Sequence, residues 1–193
     1  MLSIFLVRNL NLNFVTYSIL LTFAFYLFFI SLKDFFVKKI TNVSQNIAHF
    51  GFSLFILSIL FNNIYSTEII TNLKIGETFE GEKLKINFAS IERKKEQNFD
   101  ALIGKFKIES NDGEIEILYP ELRIYNQPNI VTSEAYIKTN FIEDKFITMN
   151  SVNNQEYFNI RYQIKPYMLW IWISVLLISL GGATSFFKKK YEK

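Results

Sequence analysis

The chain has 193 residues, is 50% hydrophobic and 17% aromatic, carries a formal net charge of +3, and contains one histidine and no cysteine. The missing thiols exclude disulfides, thiol chemistry and any cysteine-ligated metal site, and a single histidine is too few for a self-contained zinc site. The apolar residues gather into three runs around a polar middle, so an even division into soluble domains does not fit.

Residues 1–13 form a short N-terminal segment. Residues 14–32 follow without a charge between Arg8 and Lys33. At ~1.5 Å per residue such a helix spans roughly 28 Å, enough to cross a hydrocarbon core. Its apolar stretch is longer than a signal-peptide core and no small-residue cleavage site follows at Ser31–Asp34, so it is read as a retained helix. Residues 33–44 are a basic loop holding Lys33, Lys38 and Lys39. Residues 45–64 form the second apolar segment. It is shorter and more polar, with Asn46, His49, Asn62 and Asn63, and a buried or interfacial helix is the competing reading.

Residues 65–165 change character. Leu84, Ile86 and Phe88 alternate with Lys85 and Asn87, and Lys105–Glu109 alternates likewise. Asn111-Asp112-Gly113 is a turn signal before Glu114–Leu118, so residues 104–118 read as a hairpin. Further strands are expected near Ile70–Ile75, Leu122–Tyr125, Ala135–Thr139, Lys145–Met149 and Tyr157–Ile164. Many short strands without a helical period predict a small antiparallel sandwich or barrel-like domain. Residues 166–187 then form a third apolar run, entered through Pro166 and an aromatic collar of Tyr167, Trp170 and Trp172. Residues 188–193 are a basic tail.

The expected fold is an α+β membrane protein, with three transmembrane helices and a small β-rich extracytoplasmic domain between helices two and three. Lysines in the 33–44 loop and at Lys188, Lys189, Lys190 and Lys193 put both segments on the cytoplasmic or matrix side. The N-terminus and residues 65–165 then lie opposite. The basic balance belongs to these clusters, and no basic stripe interleaved with aromatics points to nucleic acid.

The β-rich segment holds no catalytic constellation. It has no histidine, cysteine or glycine-rich phosphate loop, and Glu114 and Glu116 fall on one strand face, the usual pattern of a solvated edge. It reads as a docking surface.

His49 stands in Gln45-Asn-Ile-Ala-His-Phe-Gly-Phe-Ser53, where Gln45, Phe52 and Ser53 share its helical face. An ionisable group inside a membrane helix is costly and faces protein, water or a cofactor. Imidazole is a common haem ligand, and Gly51 permits close approach of a macrocycle or of another helix. A histidine near the interface, hydrogen-bonded to a neighbour, accounts for the same residues.

Four motifs occur in order: Ala48-His49-Phe50-Gly51, Leu118-Tyr-Pro-Glu-Leu-Arg-Ile-Tyr125, Thr132-Ser-Glu-Ala135, and Arg161–Trp172 with Gly181-Gly182 beyond it. Together they resemble the C-terminal part of the CcmF family of cytochrome c-type biogenesis proteins, membrane haem lyases. The resemblance implies that His49 is an axial ligand of a transmembrane haem b. It implies attachment of haem to an apocytochrome c, working with a haem chaperone and thiol-handling proteins, in a bacterial or mitochondrial inner membrane. The family's tryptophan-rich WWD segment, its flanking histidines and its second transmembrane histidine have no counterpart here. The expectation is therefore a split or truncated member, not catalytic alone, that shares the haem with a separately encoded N-terminal CcmF-like chain. The family's T-E-A segment has an extra residue here, Ser133, which leaves the part played by Glu134 open, as are those of Glu121 and Arg123. A membrane-tethered assembly module without haem is the alternative. An extracytoplasmic sensor fits less well, because little chain remains on the inner side to transmit a signal.

Overall fold

The structure is a computed structural model that describes residues 14–36, 43–152 and 156–191. Lys38, Lys39 and Lys193 of the basic segments lie outside the described residues. The chain forms two compact units, one of helices and one of strands.

The helical unit contains α1 (Phe14–Phe36), α2 (Val43–Tyr65) and α3 (Met168–Tyr191), together with the short segment Asn140–Asp144. All three helices are long and apolar enough to cross a membrane, over Val15–Phe36, Val43–Tyr65 and Met168–Phe186. The first extends past residue 32, carrying Lys33 and Asp34 in its last turn. A long side chain at a helix end can keep its charge in water while its stem covers apolar surface.

α1 and α2 pack through larger side chains, with Leu21, Ala24, Leu57, Leu60 and Ile64 buried between them. α2 and α3 pack through missing ones. A Cβ on Gly51 would stand 2.9 Å from the Ile178 backbone nitrogen, and one on Gly181 would stand 2.7 Å from that of Ala48. Three hydroxyls buried in this unit bond within their own helices: Ser53 donates to the Phe50 carbonyl, Ser58 to Leu54 and Ser174 to Ile171, whereas the buried Ser18 Oγ has no partner among the described residues. Such back-bonding spares a hydroxyl the cost of lying unpaired in an apolar medium.

The strand unit is a β-sandwich. One sheet has the order β1-β10-β9-β8, from Thr67–Leu73, Phe158–Pro166, Glu143–Ser151 and Tyr136–Thr139. The other runs β2-β3-β4-β6-β7, from Thr78–Glu80, Leu84–Lys95, Phe99–Ser110, Glu121–Asn126 and Asn129–Glu134, with β5 (Ile115–Leu118) also on β4. Every paired strand of the second sheet is antiparallel. Leu84, Ile86 and Phe88 face inward from β3 as their alternation predicts. The β4–β5 connection turns at Gly113, whose φ of +81° suits glycine.

At the centre Phe88 stacks on Phe106 with ring centroids 4.3 Å apart and meets Phe158 edge-on at 5.5 Å. β4 is long enough to pair with two strands in succession. Its second half, Phe106–Glu109, pairs with β5 and its first half, Phe99–Ile103, with β6. Pro120 lies between those two strands, fully buried, and its carbonyl accepts the Gly104 N–H at 2.9 Å. A residue without an N–H belongs at such a break, since it forgoes no ladder bond there.

Candidate functional site

α2 carries His49 about 9 Å along the helix axis from its first residue, at ~1.5 Å per residue. Its neighbours set its direction. Phe50 packs against the rings of Phe28 and Phe35 of α1, both at 5.5 Å. Ala48 and Gly51 touch α3, at Gly181 and at Ser174–Ile178. His49 faces neither helix and is exposed, as are Gln45 and Phe52. Among the described residues neither ring nitrogen has a hydrogen-bond partner.

The sequence reading grouped Ser53 with His49. Instead Ser53 is 1% exposed and bonded to the Phe50 carbonyl, because a step of four residues rotates it toward the helix packing. The open question over Gly51 also closes: the close neighbour it admits is another helix, α3. The Ala-His-Phe-Gly segment therefore has two sides. Its small residues lock α2 to α3, and that contact leaves the imidazole presented outward on a fixed helix.

The exposed face runs on through Phe52 and Ile59, which are 52% and 40% exposed. An open apolar wall beside a lone imidazole has the donor chemistry and the access that an axial haem ligand needs. Among the described residues no group of three or more histidine, cysteine, aspartate or glutamate side chains is placed to hold a bare metal ion.

The motifs of the sandwich have structural work of their own. Leu118 and Leu122 are in the core, while Glu121, Arg123 and Tyr125 share the opposite face of β6. Arg123 pairs with Glu121 at 2.9 Å, lies 4.0 Å from Glu134 and stands over the Phe99 ring at 5.0 Å. β6 runs between β4 and β7, so this cluster lies within the sheet and not at its edge. The strand β7, Asn129–Glu134, takes in Thr132, Ser133 and Glu134 of the segment read in the sequence only as a motif.

Glu116 overturns its sequence reading. It lies inward, with only 14% of its side chain exposed, and its Oε1 accepts from both Lys138 and Lys145 at 3.0 Å. Ile115 and Ile117 face outward instead, 56% and 44% exposed. Burial pushes the Glu116 carboxyl up, but the hydrogen bonds from Lys145 and Lys138 outweigh it and hold the group below its ordinary value. The three residues tie β5 of one sheet to β8 and β9 of the other.

Residues 64–166, more than half of the chain, match the family model of the CcmF C-terminal beta-sandwich. The chain belongs to the CcmF family. It is 26% identical over 148 residues to the cytochrome c-type biogenesis protein CcmF of Pseudomonas aeruginosa, covering 77% of this chain and 22% of the relative. Identity to CcmF of Escherichia coli is also 26%, covering 76% of this chain and 23% of that protein. The cytochrome c-type biogenesis protein NrfE of Haemophilus influenzae is 23% identical over 96% of this chain and 30% of its own length. A solved structure, "Cytochrome c Heme Lyase CcmF", shares the fold with a TM-score of 0.66 and 17% identity, covering 93% of this chain and 32% of that one. The chain thus spans about a fifth to a third of the length of these CcmF-family proteins.

Proposed function

We propose that the chain is the C-terminal subunit of a membrane haem lyase assembly for cytochrome c maturation. In this reading His49 supplies one axial ligand to a haem b shared with a separately encoded N-terminal CcmF-like chain. The observation that carries the reading is the imidazole itself: the chain's one histidine, exposed on a membrane helix, between two small residues that pack that helix on α3. One histidine fills one axial position, so the second ligand comes from the partner.

Haem b, when bound, supplies electron chemistry at its iron. This chain's own residues bind and orient. Gly51 and Gly181 hold the helix, His49 offers a ring nitrogen, and Phe52 provides an apolar wall. The sandwich, with the lysine segments on the inner side by the positive-inside rule, faces the periplasm or intermembrane space. There it serves as an assembly domain for the haem chaperone, the apocytochrome c and the proteins that handle its thiols. The subunit does not perform the attachment alone.

The test is a His49→Ala variant purified in complex with the co-expressed partner. Loss of one strong-field ligand should change the haem absorption spectrum and lower haem retention, and added imidazole should restore part of the spectrum. The isolated wild-type chain should bind haem poorly. An unchanged spectrum with full cytochrome maturation would return the chain to the second reading, a membrane-tethered assembly module without haem. That reading draws on the same exposed face, where Phe52 and Ile59 fit a neighbouring helix as well as a macrocycle.

A further inference from the structure

The turn between β8 and β9, together with the first two residues of β9, makes up the segment Asn140–Asp144 that belongs to the helical unit. Its shape is set by Asn140, whose side-chain oxygen accepts the backbone N–H groups of Ile142 and Glu143 at 2.8 and 2.7 Å. This asparagine-closed turn is a rigid local device. It holds two consecutive large apolar residues, Phe141 and Ile142, with 62% of each left exposed.

The turn is fastened to the start of α3. The Trp170 indole N–H donates to the Phe141 carbonyl at 3.1 Å, and the Trp170 and Phe141 rings meet edge-on at 4.9 Å. The backbone N–H of Tyr167 donates to the Ile142 carbonyl at 2.7 Å. Tyr167 has a φ of +61°, a left-handed conformation that a non-glycine residue keeps only when its surroundings impose it. Asn62 completes the arrangement by donating to the Pro166 carbonyl at 2.6 Å.

These bonds fix the level of the turn. Met168 begins the spanning part of α3, so Phe141 and Ile142 lie beside the first turn of a membrane-crossing helix. Below them, Trp172, Leu176 and Leu180 are exposed on that helix, 64%, 63% and 57%. α3 therefore presents apolar side chains to lipid just past the level at which the turn is held. Aromatic side chains at the ends of spanning segments favour the headgroup region.

We infer that Phe141 and Ile142 insert into the boundary between headgroups and acyl chains, making the β8–β9 turn a lipid-contacting wedge beside α3. The partner is the bilayer surface itself. The wedge rests on the membrane-spanning helices alone and does not depend on haem binding.

The chain has no cysteine, so single labels are selective. Phe141→Cys and Ile142→Cys, each carrying an environment-sensitive fluorophore, are placed in the full chain in phosphatidylcholine–phosphatidylglycerol vesicles. Asn111→Cys, on the exposed β4–β5 turn, is the comparison. Ile142→Cys spares the Phe141–Trp170 ring contact, so a disturbed turn at position 141 is recognised. Labels at 141 and 142 should emit to the blue of the label at 111, and headgroup spin-labelled lipid should quench them at least about twofold more. Iodide quenching of all three alike, without lipid quenching, would overturn the inference. Protection of 141 and 142 from both quenchers would overturn it too, since protein would then cover the turn.

Discussion

The sandwich and the helix bundle reach close packing by opposite means. In the sandwich, space is filled: Phe88 and Phe106 are both 0% exposed and stack at 4.3 Å. Between α2 and α3, space is removed: Gly51 and Gly181 let two backbones approach until a methyl group would collide. The difference follows from the solvent of each unit. Water drives apolar side chains together, so large ones stabilise a sandwich core. Lipid tails are as apolar as leucine, so helices in a membrane gain from dispersion contact at short range, which small residues permit. The sandwich core and the α2–α3 contact should therefore fail under opposite substitutions.

Losing volume should harm the sandwich most. Phe106→Ala removes a ring that packs on Phe88 and leaves a cavity, costing about 3–5 kcal/mol. Hydrogen exchange of the full chain in detergent, read by mass spectrometry, should speed up across the strands and leave α2 and α3 protected. Faster exchange in both units together would show that they unfold as one and would break the comparison.

Gaining volume should harm the α2–α3 contact. Gly181→Ala drives a methyl against backbone atoms of Ala48 and Ser44, 2.7 and 2.8 Å away, for which an overpacking cost of about 1–3 kcal/mol is expected. Gly182→Ala is the matched control, because nothing lies within 4 Å of its Cβ position. Thermal unfolding in detergent, followed by helical circular dichroism, should separate the two. Equal midpoints for the variants would mean that the glycine contact does not hold α2 to α3.

The same contrast explains what was legible in the sequence. The three helices were legible because a long uncharged run has few alternatives in a membrane protein. β3, β4 and the Gly113 turn were legible because alternation and glycine are local signals. The strand Asn129–Glu134 was not, since three exposed residues are followed by three half-buried ones and no inward alternation marks it. Inward Glu116 was not, because the two lysines that neutralise it lie on β8 and β9, distant in sequence. His49 stood out by its rarity alone, and the Ala-His-x-Gly resemblance supplied its meaning. That Gly51 serves α3 depends on Ser174–Ile178, which no local pattern links to residue 51.

The smallest expected effect concerns how each unit handles a buried polar group. In the helices Ser53, Ser58 and Ser174 bond their hydroxyls to carbonyls of their own helix, a neutral arrangement that pH does not touch. The sandwich relies on a charge, so its stability should carry a pH signature. Glu116 titrates below its ordinary value of 4.5 when folded. Its contribution is therefore full above that value and is lost as pH falls through the lower folded value. Glu116→Gln keeps an acceptor near Lys138 and Lys145 but removes the charge, and should cost about 1 kcal/mol at neutral pH. Because other carboxylates also protonate in acid, the informative quantity is the difference between wild type and variant. That difference in sandwich stability should shrink as pH is lowered from about 6 to about 3. Glu80→Gln, which breaks a fully solvated pair with Lys85, should leave stability nearly unchanged, since water and salt screen such pairs. A Glu116 difference that stayed constant with pH would mean that the residue acts by shape and not by charge. The two units would then handle polarity alike, and only their packing would distinguish them.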